Sequence, residues 1–229
     1  VNQIVSQFYE KDSYQEPYDL QHGPRLDALV TRYNLREKLA AKRVVDVGGG
    51  LGFLGKRLDP STDYWVIDGA EITLEQRLCA GRWTKVDLDH DVLSNSYSTE
   101  IDGALPHPGE FDAGFCLETI EHCGNPHHVL VELKKLVKIG CPIYLSIPSE
   151  DVWHNVPYPG LMWPRQNFEQ FLGQMALNIV DFSHYQPAGR GWPAYTWLCE
   201  NRPWAEKKLA FPKGEEKFRN CTPLEATNL

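Results

Sequence analysis

The sequence predicts an α/β fold, a mostly parallel sheet with helices on both faces. Three observations predict it. Short apolar runs of strand length alternate with longer segments whose apolar residues recur at helical spacing. The first such run passes straight into a glycine-rich turn, "VVDVGGGLG". The 229 residues, 42% hydrophobic and 24% charged, suit one domain with a sizeable core.

The elements follow in order. Leu26, Leu29, Val30 and Tyr33 form one stripe, which predicts a helix over residues 25–40. "RVVDV" is a short strand, and "LGFLGKRL" is expected to follow as a helix. "DYWVID" is a second strand, "EITLEQRLCA" a helix and "RWTKVD" a third strand. Residues 88–110 are polar and turn-rich, so a long loop is expected. "FDAGFCL" is the fourth strand. The clearest helix is "NPHHVLVELKKLVKIG", with Asn125 as cap, Pro126 in its first turn and Gly140 at its end. Its buried stripe is Leu130, Leu133, Leu136 and Val137. "PIYLSIP" is the fifth strand, "RQNFEQFLGQMAL" a helix, and "NIVDFSHY" and "AYTWLCE" two more strands. Such alternation implies parallel pairing with crossover helices.

The glycine turn admits two readings. Gly48, Gly50 and Gly52 after Asp46 spell D-x-G-x-G-x-G, the spacing of proteins that bind S-adenosylmethionine. Gly50, Gly52 and Gly55 spell G-x-G-x-x-G, the dinucleotide fingerprint. In a dinucleotide fold the first glycine directly follows the strand. The Gly48 phase satisfies that; the Gly50 phase leaves the turn two residues late. A carboxylate at Asp46 also suits the ammonium of an amino-acid end and would repel a pyrophosphate. Asp68 ends the second strand, where an acid binds ribose hydroxyls. Asp87 ends the third, where an acid can accept from an adenine amino group.

Bulk properties narrow the partners. The formal net charge is −8, which argues against a nucleic-acid backbone. Six cysteines lack C-x-x-C spacing and several lie in apolar runs, as expected of free thiols in a reducing compartment. The first residues are too polar for a signal peptide, and no apolar run approaches the roughly 20 residues of a membrane span. A cytoplasmic protein is expected, with no membrane partner.

Residues 44–150 resemble the core of class I S-adenosylmethionine-dependent methyltransferases. The motifs that carry the likeness are "VVDVGGGLG", "YWVIDGAE", "WTKVDLD" and "FDAGFCLETIEHCGNPHHVLVELKKLVKIGCPIYLSIP". The last resembles the family's fourth strand, its E-H-x-x-x-P turn, a helix ending L-x-x-G-G, the fifth strand and S-x-P. Cys141 stands where the second glycine is usual. The resemblance implies a Rossmann-like three-layer sandwich with a seven-stranded, mostly parallel sheet and an antiparallel last strand. It implies one domain over residues 1–202, with a helical segment 1–42, a core 43–202 and a peripheral tail 203–229. Asp46, Gly48, Gly49, Gly50 and Gly52 would bind the methionine end of the cofactor, Asp68 and Gly69 the ribose, and Asp87 and Leu88 the adenine. Cys116, Leu117 and Glu118 would lie under the cofactor, and Arg25 is a candidate for its carboxylate.

Methyl transfer from a sulfonium needs an acceptor placed in line with the methyl group, and for a hydroxyl acceptor a means of removing the proton. Glu118, Glu121 and His122 form E-x-x-E-H at the edge of the fourth strand. This resembles ubiquinone-pathway O-methyltransferases and small-RNA 3′-end methyltransferases, and implies a possible divalent metal such as magnesium on those three side chains. His122, Glu121 and His154 are the catalytic candidates. Five of seven tryptophans lie after residue 150. Trp153, Tyr158, Trp163, Arg190 and Trp192 fall in two loops expected to face the crevice, a stiff wall for a flat small-molecule acceptor. Trp197 reads as core. The expectation is methylation of a small molecule, at oxygen. The alternatives are RNA 3′-end methylation, a nicotinamide oxidoreductase, and a non-catalytic S-adenosylmethionine binder. Oligomeric state is not legible.

Overall fold

The computed structural model describes residues 15–93, 106–149, 164–188 and 192–204. Its centre is a seven-stranded sheet of β1 (Arg43–Val47), β2 (Asp63–Asp68), β3 (Arg82–Lys85), β4 (Ala113–Leu117), β5 (Pro142–Pro148), β6 (Leu177–Tyr185) and β7 (Ala194–Asn201). The strand order is β3-β2-β1-β4-β5-β7-β6. Strands β1 to β5 pair in parallel, whereas β7 runs antiparallel to both β5 and β6. The expected antiparallel last strand is therefore present.

Alternation along the strands sends successive side chains to opposite layers. On one face Val44, Tyr64, Val66, Phe115 and Tyr144 pack against Leu29 and Tyr33 of helix α1 (Gln15–Tyr33) and Leu35 of α2 (Leu35–Lys38). On the other, Val45, Ile67, Cys116, Ile143, Leu145 and Trp197 meet Leu130 and Leu133 of α3 (Pro126–Leu136) and Phe168 and Leu172 of α4 (Arg165–Gln174). Each fully buried side chain of this size contributes roughly 2 kcal/mol. Trp197 is core as expected, 0% exposed, with its indole Nε1 donating to Glu169 Oε1 at 3.1 Å.

Several boundaries differ from the sequence expectation. The first helix begins ten residues earlier, at Gln15, and is broken at Asn34, which adopts φ 51°. Residues 51–58 do not form a helix: Gly52 sits at φ 86°, and only Gly55–Arg57 makes a single 3₁₀ turn. Residues 71–80 likewise keep only a 3₁₀ turn, Leu74–Gln76, opened by a capping box on Thr73. Helix α3 starts as expected, with Asn125 Oδ1 accepting from His128 N at 3.2 Å. It stops at Leu136, because Val137 turns extended and bridges to Phe111. Gly140 belongs to the following turn, at φ 81°. The free carbonyls of Lys134 and Val137 accept from Asn201 Nδ2 at 3.0 and 2.7 Å, which ties α3 to the end of β7. Among the described residues, Cys79, Cys116, Cys123, Cys141 and Cys199 are free thiols, and no helix is long and apolar enough to cross a membrane.

Candidate functional site

In an open parallel sheet the ligand crevice lies outside the carboxyl ends of the strands, where the strand order reverses. Here that point lies between β1 and β4, and the glycine turn occupies it. Gly48, Gly50 and Gly52 all take left-handed backbone, at φ 76°, 52° and 86°. Gly48 N donates to Ile67 O at 2.7 Å, which seats the turn on β2. A Cβ on Gly48 would lie 2.1 Å from Thr119 Cγ2. Thr119 Oγ1 itself donates to Gly48 O at 3.3 Å, joining the turn to the end of β4.

Asp46 lies beneath this turn rather than facing the crevice. It is 3% exposed, it accepts a hydrogen bond from the Tyr64 hydroxyl, and a Cβ on Gly49 would lie 2.7 Å from its Oδ2. Burial pushes its carboxyl up to about 7, Asp68 adds to the rise, and the Tyr64 hydrogen bond opposes it. A raised folded-state value means that the stability linked to Asp46 is present below the ordinary carboxylate range and is lost as pH climbs through about 7. Asp46→Asn should therefore melt about 5 °C above the parent at pH 8, with the gain vanishing near pH 4, as read by thermal denaturation.

Asp68 also binds the turn. Its Oδ2 accepts from Gly50 N at 2.9 Å and its Oδ1 from Ala70 N at 2.8 Å. Burial raises its pKa, and the N–H groups of Ala70, Gly50 and Gly69 oppose that rise. Trp83 closes the far side, with Nε1 donating to Gly50 O at 3.0 Å and Arg77 over its ring at 4.7 Å. Asp87 and Leu88 follow β3, both partly buried; Asp87 Oδ1 accepts from Asp89 N at 3.0 Å within its own turn.

At the ends of β4 and β5 the E-x-x-E-H side chains diverge. Glu118, at φ 50°, has its carboxylate 2.6 Å from Arg25 Nη1 and 2.9 Å from the Ser146 hydroxyl that donates to it. Arg25 also donates to Ser146 Oγ at 3.0 Å and is 5% exposed, so it is a buried partner and not a surface arginine. Glu121 is 2% exposed, and among the described residues neither of its oxygens has a hydrogen-bond partner. Burial, then the Glu118 charge beside it, holds its carboxyl well above the usual range. His122 Nε2 stands 3.8 Å from Glu121 Oε1, with the imidazole one-third exposed. Among the described residues no three His, Cys, Asp or Glu side chains converge as metal ligands. The expected trio of Glu118, Glu121 and His122 is not gathered as a ligand set here: Glu118 is turned to Arg25, and Glu121 is buried beside a partly exposed His122. Cys116 is 0% exposed under the β4 end, and Leu117 beside it is partly buried.

His154, Trp153, Tyr158, Trp163 and Arg190 lie outside the described residues. Trp192 precedes β7 and is half-buried. Four residues that shape the site, Tyr64, Trp83, Thr119 and Ser146, lie inside the quoted motifs, yet the sequence reading gave them no role. The signal for Ser146 was its alignment with the end of β4: it pairs with Leu117 in the parallel register.

No protein-family model matches the chain. The ubiquinone biosynthesis O-methyltransferase of Dechloromonas aromatica is 36% identical over 112 residues, 47% of this chain and 45% of that protein. The enzyme of that name from Xanthomonas oryzae pv. oryzae is 28% identical over 144 residues, 62% of this chain and 56% of that one. The chain thus spans about half the length of the curated relatives it matches. Among solved structures, magnesium protoporphyrin IX methyltransferase from Synechocystis PCC 6803, with bound S-adenosylhomocysteine, superposes with a TM-score of 0.62 at 16% identity, covering 89% of this chain and 100% of that one. A 1,6-didemethyltoxoflavin-N1-methyltransferase from Burkholderia thailandensis gives 0.58 at 12%, covering 88% and 86%. Strand order, turn geometry and these likenesses show that the chain has the Rossmann-like fold of the S-adenosylmethionine-dependent methyltransferases it resembles.

Proposed function

We propose that the protein transfers a methyl group from S-adenosylmethionine to a hydroxyl of a small-molecule acceptor, as a single domain over residues 1–202 working in the cytoplasm. The observation that carries the reading is the Gly48–Gly52 turn held between Asp68, Thr119 and Trp83 at the reversal of strand order. Bare glycine backbone fits close approach by a cofactor, since a side chain at Gly48 has no room. The bound cofactor supplies an electrophilic methyl on a positively charged sulfur. The chain's part is to hold it and to orient the acceptor. Asp68 is the group assigned to the ribose hydroxyls and Arg25 the one assigned to the carboxylate. His122, partly exposed beside Glu121, is the group assigned to the acceptor proton. With the cofactor bound, its methyl would pass from sulfur to the acceptor oxygen, and His122 would take up the proton the acceptor hydroxyl gives up.

The choice of oxygen is supported by relatives named O-methyltransferases. The nicotinamide alternative is not favoured: β7 inserted between β5 and β6 departs from the 3-2-1-4-5-6 order of dinucleotide folds. Titration calorimetry with S-adenosylmethionine, S-adenosylhomocysteine and NADH tests the reading, followed by an acceptor screen that detects S-adenosylhomocysteine. Binding of NADH, or of none of the three, overturns it.

A further inference from the structure

The arginine assigned to the cofactor carboxylate already holds a carboxylate. Arg25 Nη1 stands 2.6 Å from Glu118 Oε1 and donates to Ser146 Oγ at 3.0 Å. The Ser146 hydroxyl in turn donates to Glu118 Oε1 at 2.9 Å, so the three side chains close on one another. The guanidinium and carboxylate side chains are 6% and 7% exposed. Backbone geometry fixes the arrangement. Glu118 takes φ 50°, which is unfavourable for a residue with a Cβ, and its N–H is pinned to Ser146 O at 3.1 Å and to Ser146 Oγ at 3.2 Å.

The pair borders the glycine turn. Thr119, the residue after Glu118, donates from Oγ1 to Gly48 O at 3.3 Å, and Leu26, the residue after Arg25, packs with Leu51. Glu118 leaves part of Arg25 unused: Nε is buried and, among the described residues, has no hydrogen-bond partner. A guanidinium presents five N–H groups in a fork that matches both oxygens of a carboxylate. A ligand carboxylate seated on that fork would satisfy Nε as well as take the place of Glu118. One buried cation neutralises one carboxylate, and a second would be an unpaired charge out of water.

Resting on the cofactor reading above, we propose that Glu118 is a specificity-determining residue, an internal competitor that occupies Arg25 in the free protein and that the cofactor's carboxylate must displace. Exchange of one carboxylate for another at the same cation nearly cancels in free energy. The carboxylate end therefore adds little to affinity, and ligands with and without it are bound almost alike. S-adenosylmethionine and S-adenosylhomocysteine share that end, so Glu118 weakens both and eases product release.

Titration calorimetry with S-adenosylhomocysteine and with its decarboxylated form, which keeps the ammonium, reads the competition directly. Glu118→Gln should tighten S-adenosylhomocysteine about tenfold and leave the decarboxylated ligand within about twofold of the parent. Glu118→Asp guards against a folding defect, since aspartate accepts left-handed backbone; it draws the charge back by one methylene and should tighten S-adenosylhomocysteine about threefold. Unchanged or weaker S-adenosylhomocysteine binding in a folded Glu118→Gln protein, or in Glu118→Asp where that protein fails to fold, overturns the proposal. A loss shared by both ligands makes Glu118 a partner of the ammonium instead. Equal tightening of both also overturns the proposal, because the carboxylate is then not what Glu118 opposes. In these cases the parent still binds, and the cofactor reading stands. A parent that binds neither ligand removes that reading and the competition with it.

Discussion

Gly48→Ala is expected to abolish measurable S-adenosylmethionine binding and to lower the melting temperature by roughly 10 °C, from a loss of about 3 kcal/mol. Two costs combine at this position. The left-handed backbone at φ 76° disfavours any Cβ, and that Cβ would overlap Thr119 with atoms at 2.1 and 2.2 Å. Thr119 cannot retreat freely, since its hydroxyl hydrogen-bonds the carbonyls of Gly48 and Leu117. The turn must move, and the seat it shares with Ile67 O moves with it. Gly109→Ala separates the two costs. Its φ is 66°, yet nothing lies within 4 Å of a Cβ there. That substitution should show the backbone cost alone, about 1 kcal/mol, with cofactor affinity intact. Thermal melts and calorimetry on both variants read the difference; a Gly48→Ala protein that binds as the parent does would remove the turn from the site.

Asp68→Ala should weaken S-adenosylmethionine about 100-fold while the sheet stays folded. The carboxylate accepts from Gly50 N and Ala70 N, so its loss strands two donors on either side of the proposed ribose site. Asp68→Asn retains an acceptor oxygen but adds an amide donor where only acceptors are needed, and should fall between alanine and the parent. The near-ultraviolet dichroism of Trp65 and Trp83 serves as the folding control. Parental affinity in Asp68→Ala would exclude the residue from cofactor binding.

Much of this arrangement was legible because strand ends have fixed addresses. Asp46, Asp68 and Asp87 each follow an apolar run of strand length, and parallel pairing brings such ends to one edge. What the address leaves open is direction. Asp46 belongs to the right strand, but its carboxylate lies under the turn because the Tyr64 hydroxyl waits there, 18 residues away. Arg25 could be placed on a helix, yet only the fold puts it against Glu118 and Ser146, the latter 121 residues on. The E-x-x-E-H spacing suggested convergence; the positive φ at Glu118 instead turns it toward Arg25. Helical periodicity over residues 51–58 was outvoted by Gly52, whose left-handed backbone ends any helix.

The arrangement of β6 and β7 governs how the protein is made. Among the described residues β6 pairs only with β7, and β7 is the last strand described, inserted between β5 and β6. During synthesis α4 and β6 therefore leave the ribosome before the strand that β6 pairs with, and that pairing waits until residues 194–201 follow. A nascent chain halted at residue 190 would carry a five-stranded sheet whose β5 edge is bare and whose Phe168 has lost the Trp197 ring it meets at 4.8 Å. Such a chain invites strand-to-strand aggregation, so the arrival of β7, rather than completion of the parallel half, is the step that covers the β5 edge.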